Sequence, residues 1–363
     1  MRRLHLNEAS VPPAPAAISA MQAAAAGVHR YPDHEPTELA RALAARLDVP
    51  EQRIVFGNGS SELLVAAVQV ALRDGDEAVI PLPCFPLYEK AIVWQRCRAV
   101  GVLTGTDGTL DVPAMLRAIG PRCKIVFAAT PNNPTGGLMT GADVEALASG
   151  VPDDVLLVLD EAYYEFGRHA GGLENLPVLS RRAGPWLITR TFSKAQGLAG
   201  IRIGYGVCGT PQLADRFRGW RANFSINHVA QAGALAALAD DAHTRAVLDV
   251  NANERSRLVA GLRQLGLKPL PSATNFVTAA VHCPAPALVE ELRRQGILIM
   301  GLTWPGMPNA LRISVGTAAD TAAVLVALKN GLAGRGAVSE ACPAPAEVYG
   351  RASAASLAAS AAK

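Results

Sequence analysis

Seven short apolar runs separated by helical patterns restrict this fold more than any other feature. The runs are Ile54–Phe56, Ala78–Pro81, Ala99–Leu103, Ile125–Ala129, Val155–Leu159, Trp186–Thr189 and Ile203–Val207. Between most of them lie helical patterns at Glu62–Leu72, Leu87–Arg96, Val112–Ile119 and Asp143–Ala148. A strand that is apolar without alternation has both faces covered, and parallel strands joined by crossover helices achieve this. The expectation is an α/β fold with a mostly parallel, doubly wound sheet. Ligands of such sheets bind beyond the carboxyl ends of the strands.

The flanking segments read differently. Val11-Pro12-Pro13-Ala14-Pro15 excludes regular helix, an alanine-rich helix follows over about Ala16–Ala26, and Gly27–Pro36 is a loop around Arg30-Tyr31-Pro32-Asp33. Leu39, Leu43 and Leu47 recur every four residues, which predicts an amphipathic helix over Thr37–Leu47. A mainly helical stretch from about Gln212 to Leu265 crosses into a smaller unit. That unit has expected strands near Asn275–Ala279, Leu298–Met300 and Leu311–Ser314, and helices at Ala285–Gln295 and Asp320–Leu332. Beyond Gly334 the chain is rich in Ala, Ser, Gly and Pro, which predicts a disordered tail.

Charge narrows the function. Charged residues make up 18% of the 363, the net charge is +3 and no run is rich in Lys or Arg, so no nucleic-acid partner is expected. No apolar signal core follows Met1–Glu8 and no apolar run approaches spanning length, so no membrane is expected and the cytoplasm is the expected location. The six cysteines lie far apart without a Cys-x-x-Cys pair, and the histidines are scattered, so no metal is expected.

The unusual residues lie at the strand exits. Gly57-Asn58-Gly59-Ser60-Ser61-Glu62 leaves a strand and enters a helix, a arrangement that turns free N–H groups toward an anion but also reads as an ordinary helix cap. Thr130-Pro131-Asn132-Asn133-Pro134-Thr135-Gly136 is a dense, rigid turn. Asp160 ends a wholly apolar strand, where a carboxylate is costly without a partner. A protonated pyridine nitrogen is such a partner, Tyr163 is placed to bond a ring hydroxyl, and Glu161 would face the other way in a structural role. Lys194 in Thr191-Phe192-Ser193-Lys194, with Arg202 beyond it, suits covalent capture of a phosphorylated aldehyde. Arg312 stands alone in an apolar strand, either in a salt bridge or as a clamp for a substrate carboxylate or phosphate. Gly204-Tyr205-Gly206-Val207-Cys208-Gly209 fits the dinucleotide pattern, but its first glycines fall within a strand and no acid follows at the required distance.

Taken together, from about Leu4 to Leu332, these motifs resemble the class I/II pyridoxal-phosphate-dependent aminotransferases of fold type I. Within that class the chain is most similar to the histidinol-phosphate aminotransferases, on Leu6-Asn7-Glu8, Arg30-Tyr31-Pro32, Asp160–Phe166 and Thr191–Gly200. The resemblance implies a seven-stranded large domain over residues 31–245, a small α+β domain over 246–333, and an N-terminal arm (1–30) that is partly small-domain. It implies pyridoxal 5'-phosphate as cofactor and ping-pong transfer from an amino donor to a 2-oxo acid. Lys194 would form the internal aldimine and shuttle the proton, Asp160 would pair with the ring nitrogen, and Asn133 and Tyr163 would bind the ring oxygen. Ser60, Ser61, Thr191, Ser193 and Arg202 would hold the phosphate, with Phe85 stacked on the ring. Tyr31 would reach the neighbouring site of a homodimer. Arg312, with Asn7 beside it, would bind substrate.

Two departures bear on substrate. The chain reads His5-Leu6-Asn7-Glu8-Ala9-Ser10 where the family has Asn-x-Asn-Glu-Asn-Pro. Histidinol-phosphate enzymes resemble one another in a basic residue after the small-domain Ile-Leu, where this chain has Met300. Trp304 and Met307 either line an apolar pocket there or pack. Histidinol phosphate with 2-oxoglutarate is the expected pair. The alternatives are aromatic or broad-specificity transamination, a decarboxylase or lyase on the same scaffold, and a non-enzymatic ligand sensor.

Overall fold

The computed structural model describes residues 1–333, so the tail expected beyond Gly334 lies outside the described residues. All seven expected strands form one sheet. Its order is Ile54–Gly57, Gly204–Cys208, Trp186–Thr191, Leu156–Asp160, Cys123–Ala129, Glu77–Leu82 and Arg98–Leu103. Neighbours pair in parallel except Gly204–Cys208, which runs antiparallel to both its partners. The dinucleotide-like glycines thus lie inside a strand, as the spacing indicated.

Near-continuous burial of the central strands follows from two cores. Val126, Leu157, Leu159 and Ile188 point into one, while Ile125, Phe127, Val158 and Leu187 point into the other. Period-two alternation sends successive apolar residues to opposite faces, and both faces are covered by helices.

The N-terminal segment divides between the two units. Arg2–Arg3 joins the smaller unit, pairing with Ile297–Leu298, and Leu4 enters its core. The helix Pro15–Ala25, with proline at its first turn, packs instead on His228–Leu238 and shares the large sheet's core through Ala14 and Ala17. Small residues allow this close approach: a Cβ on Gly233 would lie 2.7 Å from Met21.

The smaller unit holds a four-stranded antiparallel sheet in the order Met300–Trp304, Met307–Ser314, Phe276–Ala280 and Lys268–Pro269. Helices Asp241–Gln264, Ala285–Arg294 and Ala318–Ala333 cover it. The strand expected at Leu298–Met300 is two strands. Ile297–Leu298 pairs with the chain start, and Met300–Trp304 turns through Pro305-Gly306 into Met307–Ser314. Gly306 has φ +86°, which a proline-glycine turn of type II requires at its third position.

Candidate active site

The carboxyl ends of the parallel strands open into a cavity of about 430 Å³ between the two units. Every residue to which the resemblance gives a cofactor or substrate role lines it except Tyr31, which is 80% exposed and stacks on Phe224 at 4.7 Å.

One end of the cavity is built for an anion. The helix Ser60–Ala71 begins at the strand exit, with Ser60 and Ser61 in its first turn. Gly59 caps the helix without a side-chain hydrogen bond, and Glu62 in its first turn accepts from the Asn58 backbone N–H at 2.6 Å. Arg202, at φ +59°, donates to the carbonyls of Asn58 (3.1 Å) and Ala199 (3.0 Å) and reaches Ser193 Oγ at 3.5 Å. Thr191 Oγ1 donates to Ser193 Oγ at 2.9 Å. Gly59 has φ +73°, and a Cβ there would lie 2.4 Å from Arg202 Nη2, so only glycine admits the guanidinium. A helix N-terminus, a cation and hydroxyls converge, and this is anion-binding chemistry.

Lys194 follows on the same loop. Its Nζ donates to the Asn7 carbonyl at 3.0 Å. Burial, with Arg312 and Arg202 nearby, brings its pKa down to about 8. A fraction of about one tenth is therefore neutral at pH 7, which makes the amine a usable nucleophile and base.

Asp160 lies at the cavity floor, 5% exposed. Burial raises its pKa, against hydrogen bonds from Tyr88 Oη (2.6 Å, to Oδ2), the Ala162 N–H (3.0 Å, to Oδ1) and Thr189 Oγ1 (3.2 Å, to Oδ1). Glu161, the next residue, turns to the far side, where it pairs with Arg190 at 2.7 Å and accepts from Asn175. Burial pushes the Tyr163 phenol up to about 12, and its oxygen accepts from Asn7 Nδ2 at 2.9 Å. Asn7 itself is buried at φ +55° and held by Ser314 and Asn275.

The opposite wall carries Arg312, 7% exposed, with its guanidinium 5.4 Å from the centre of the Phe276 ring. It makes no salt bridge within 4.0 Å among the described residues; it donates to Asn133 Oδ1 at 2.6 Å and to the His5 carbonyl at 2.8 Å. Two residues expected to act on separate ligands thus touch each other. Phe85 lines the cavity and meets Tyr88 edge-on.

Sequence reasoning missed three contributors: Tyr88 and Thr189 hold Asp160, and Leu302 joins Met300 in an apolar wall. Trp304 and Met307 do not line the cavity; they pack with Leu270 and Ala310. The alternation of Met300, Leu302 and Trp304 was the available signal, because a strand there sends all three to one face until the register shift between Leu302 and Trp304.

The family model for aminotransferase class I and II matches residues 3–328. A relative from Mesorhizobium japonicum, described as histidinol-phosphate aminotransferase 1, is 35% identical over 328 residues, covering 90% of this chain and 89% of its own. A relative from Ralstonia nicotianae, described as histidinol-phosphate aminotransferase 2, is 38% identical over 86% of this chain and 84% of its own. Among solved structures, the histidinol-phosphate aminotransferase of Sinorhizobium meliloti in complex with pyridoxal-5'-phosphate superposes with a TM-score of 0.87. It is 33% identical, with 92% of this chain and 91% of that one covered. A lysine and an acid facing one anion cradle, on a sheet of this order and in a chain so matched over nearly its whole described length, lead to one statement: the chain belongs to the class I and II aminotransferases.

Proposed function

We propose that the chain binds pyridoxal 5'-phosphate and transfers the amino group of histidinol phosphate to 2-oxoglutarate. Supporting this are the printed descriptions of relatives matched over most of both chains, and a buried guanidinium, Arg312, across the cavity from Lys194. The Arg312 wall is the observation that carries the substrate side: both partners of the reaction are anions, and a guanidinium binds carboxylate and phosphate alike.

The cavity fits the cofactor. The glycine-gated cradle of Ser60, Ser61, Ser193 and Arg202, with Thr191 behind it, suits a phosphate, and the buried carboxylate of Asp160 suits a protonated ring nitrogen. Bound, the group supplies an aldehyde carbon and a ring that takes up electrons from the substrate's α-carbon bond. Lys194 Nζ would take the proton from the substrate α-carbon and deliver it to the carbon that the cofactor's aldehyde supplies. Asp160 would keep the ring nitrogen protonated, Asn133 and Tyr163 would hold the ring oxygen, and Phe85 would cover the ring face. Arg312, which donates to Asn133, would bind the substrate anion, and Asn7 holds the Tyr163 phenol in place.

Residues 31–245 serve as the cofactor-binding domain and 246–333 as the smaller one. The active form is a homodimer in the cytoplasm, with Tyr31 reaching the neighbouring site. Its exposed, stacked ring supports that role. No described helix is long and apolar enough to cross a membrane.

Gly59→Ala is expected to weaken cofactor binding about tenfold or more, because the methyl group displaces Arg202 and the backbone stays at positive φ. Equilibrium dialysis of the apoprotein measures this, and unchanged affinity contradicts the cradle. For the substrate, the holoprotein is mixed with histidinol phosphate alone and its visible spectrum followed. Conversion is expected, and Arg312→Ala is expected to lower kcat/KM about a hundredfold, the loss of a charged hydrogen-bonding partner. Conversion by phenylalanine with histidinol phosphate inert would overturn the substrate assignment and favour the apolar wall of Met300 and Leu302 as the recognition surface.

A further inference from the structure

We infer that Tyr88 is a positioning residue for this reaction, its hydroxyl fixing the Asp160 carboxylate that faces the cofactor ring while its own ring backs Phe85. The inference rests on the cofactor reading of the cavity given above.

Tyr88 lies on the helix Leu87–Trp94, which follows the strand Glu77–Leu82. Two places across the sheet stands the strand Leu156–Asp160, so the contact between them is a product of strand order rather than of local sequence. The Tyr88 side chain is 1% exposed. Its ring stacks on Phe127, with centroids 4.7 Å apart and planes at 14°, and meets Phe85 edge-on at 6.0 Å. The hydroxyl donates to Asp160 Oδ2 at 2.6 Å. A buried phenol is costly without a partner, and this carboxylate oxygen supplies it.

The two oxygens of Asp160 are held differently. Oδ1 accepts from the Ala162 N–H and from Thr189, on its own chain segment and the adjacent strand. Oδ2 has Tyr88 as its hydrogen-bond donor among the described residues. Removing that hydroxyl frees the carboxylate to turn about its last bond. It also removes a donor that favours the ionised form, in a place where burial already opposes ionisation. The other titratable groups facing Asp160 are Tyr163 and Lys194, with Cys84 beside Tyr88. Tyr88 itself stays a donor at all working pH values, because burial and then Asp160 hold its proton.

Contact with Phe85 gives the same residue a second task. Phe85 lines the cavity at the position assigned to the ring face, and Tyr88 supports it from behind. One side chain thereby couples the two protein surfaces that orient the ring.

The test is Tyr88→Phe, which keeps the ring and its stacking on Phe127. Apoprotein is titrated with pyridoxal 5'-phosphate across pH and uptake read by absorbance. Binding is expected to weaken about tenfold, as loss of a hydrogen bond to a charged group implies, and the acid-side midpoint of binding to rise by about one unit. The sign follows from Asp160: a carboxylate without its donor protonates at higher pH and so releases the ring nitrogen sooner on acidification. In an Asp160→Asn background the same substitution is expected to leave the midpoint unmoved. Superimposable wild-type and Tyr88→Phe curves overturn the inference. So does a variant that loses thermal stability yet keeps wild-type affinity and midpoint, which is the behaviour of a merely structural residue. Additive shifts in the Asp160→Asn background overturn it as well. Wild-type protein that takes up no cofactor at any pH would overturn the cofactor reading together with this inference.

Discussion

Lys194→Ala is expected to abolish turnover, lowering kcat by at least about four decades, the upper end of what a positioned base contributes. The loss combines two functions in one atom. Nζ is the only lysine amine among the residues lining the cavity, and it stands beside both the anion cradle and the Asp160 floor. Its pKa, brought down to about 8 by burial and by the Arg312 and Arg202 charges, gives a pH prediction with a defined sign. Only the neutral amine attacks an aldehyde. Cofactor uptake by the apoprotein should therefore quicken about tenfold per pH unit below about 8 and level off above it. Stopped-flow absorbance measures this, and a rate that rises unabated to pH 10 would show an unshifted lysine. The Ala variant should bind cofactor by its phosphate yet never capture it.

Asp160→Ala is expected to bind the cofactor more weakly, still through the anion cradle and Lys194, and at saturating cofactor to lose about a thousandfold in kcat. At about 4 Å and an effective dielectric near 20, a carboxylate and a protonated ring nitrogen attract by on the order of 4 kcal/mol. That corresponds to roughly three decades of rate when the ring must accept electrons in the transition state. The structure adds a second contribution, because removal of the carboxylate strands the hydroxyls of Tyr88 and Thr189 in a buried place. Asp160→Asn leaves an acceptor oxygen for one of those hydroxyls and so lessens the second effect. It should lose most of the rate with less loss of thermal stability. A drop below tenfold in either variant contradicts the electron-accepting role of the ring at this site.

The large sheet was legible because its strands are apolar on both faces, so each run stands out whatever its neighbours are. Boundaries moved by only a residue or two, as at Glu77–Leu82 and Cys123–Ala129. Short strands were not legible: Arg2–Arg3 and Lys268–Pro269 are too brief to show a period, and their partners are far away in sequence. The helix Pro15–Ala25 was visible but its docking was not, since an alanine-rich helix has no strong apolar stripe to say which surface it covers.

The same division runs through the site. Gly59, Asn133, Asp160 and Lys194 announce themselves because each sits at a strand exit, and Arg202 because it stands just before a strand, in an otherwise apolar or turn-forming context. Tyr88 and Asp160 are 72 residues apart and meet only through the order of the strands. Arg312 and Asn133 are 179 apart and come from different sheets. Motifs carry local geometry; contacts between motifs need the topology.

Borohydride reduction of the holoprotein, followed by digestion and mass spectrometry of the peptides, tests the central claim most directly. Reduction fixes the cofactor to whichever lysine is bonded to it. The account predicts the adduct on Lys194 and no other lysine, with none formed in Lys194→Ala. An adduct on a different lysine, or an undiminished yield from Lys194→Ala, would contradict it.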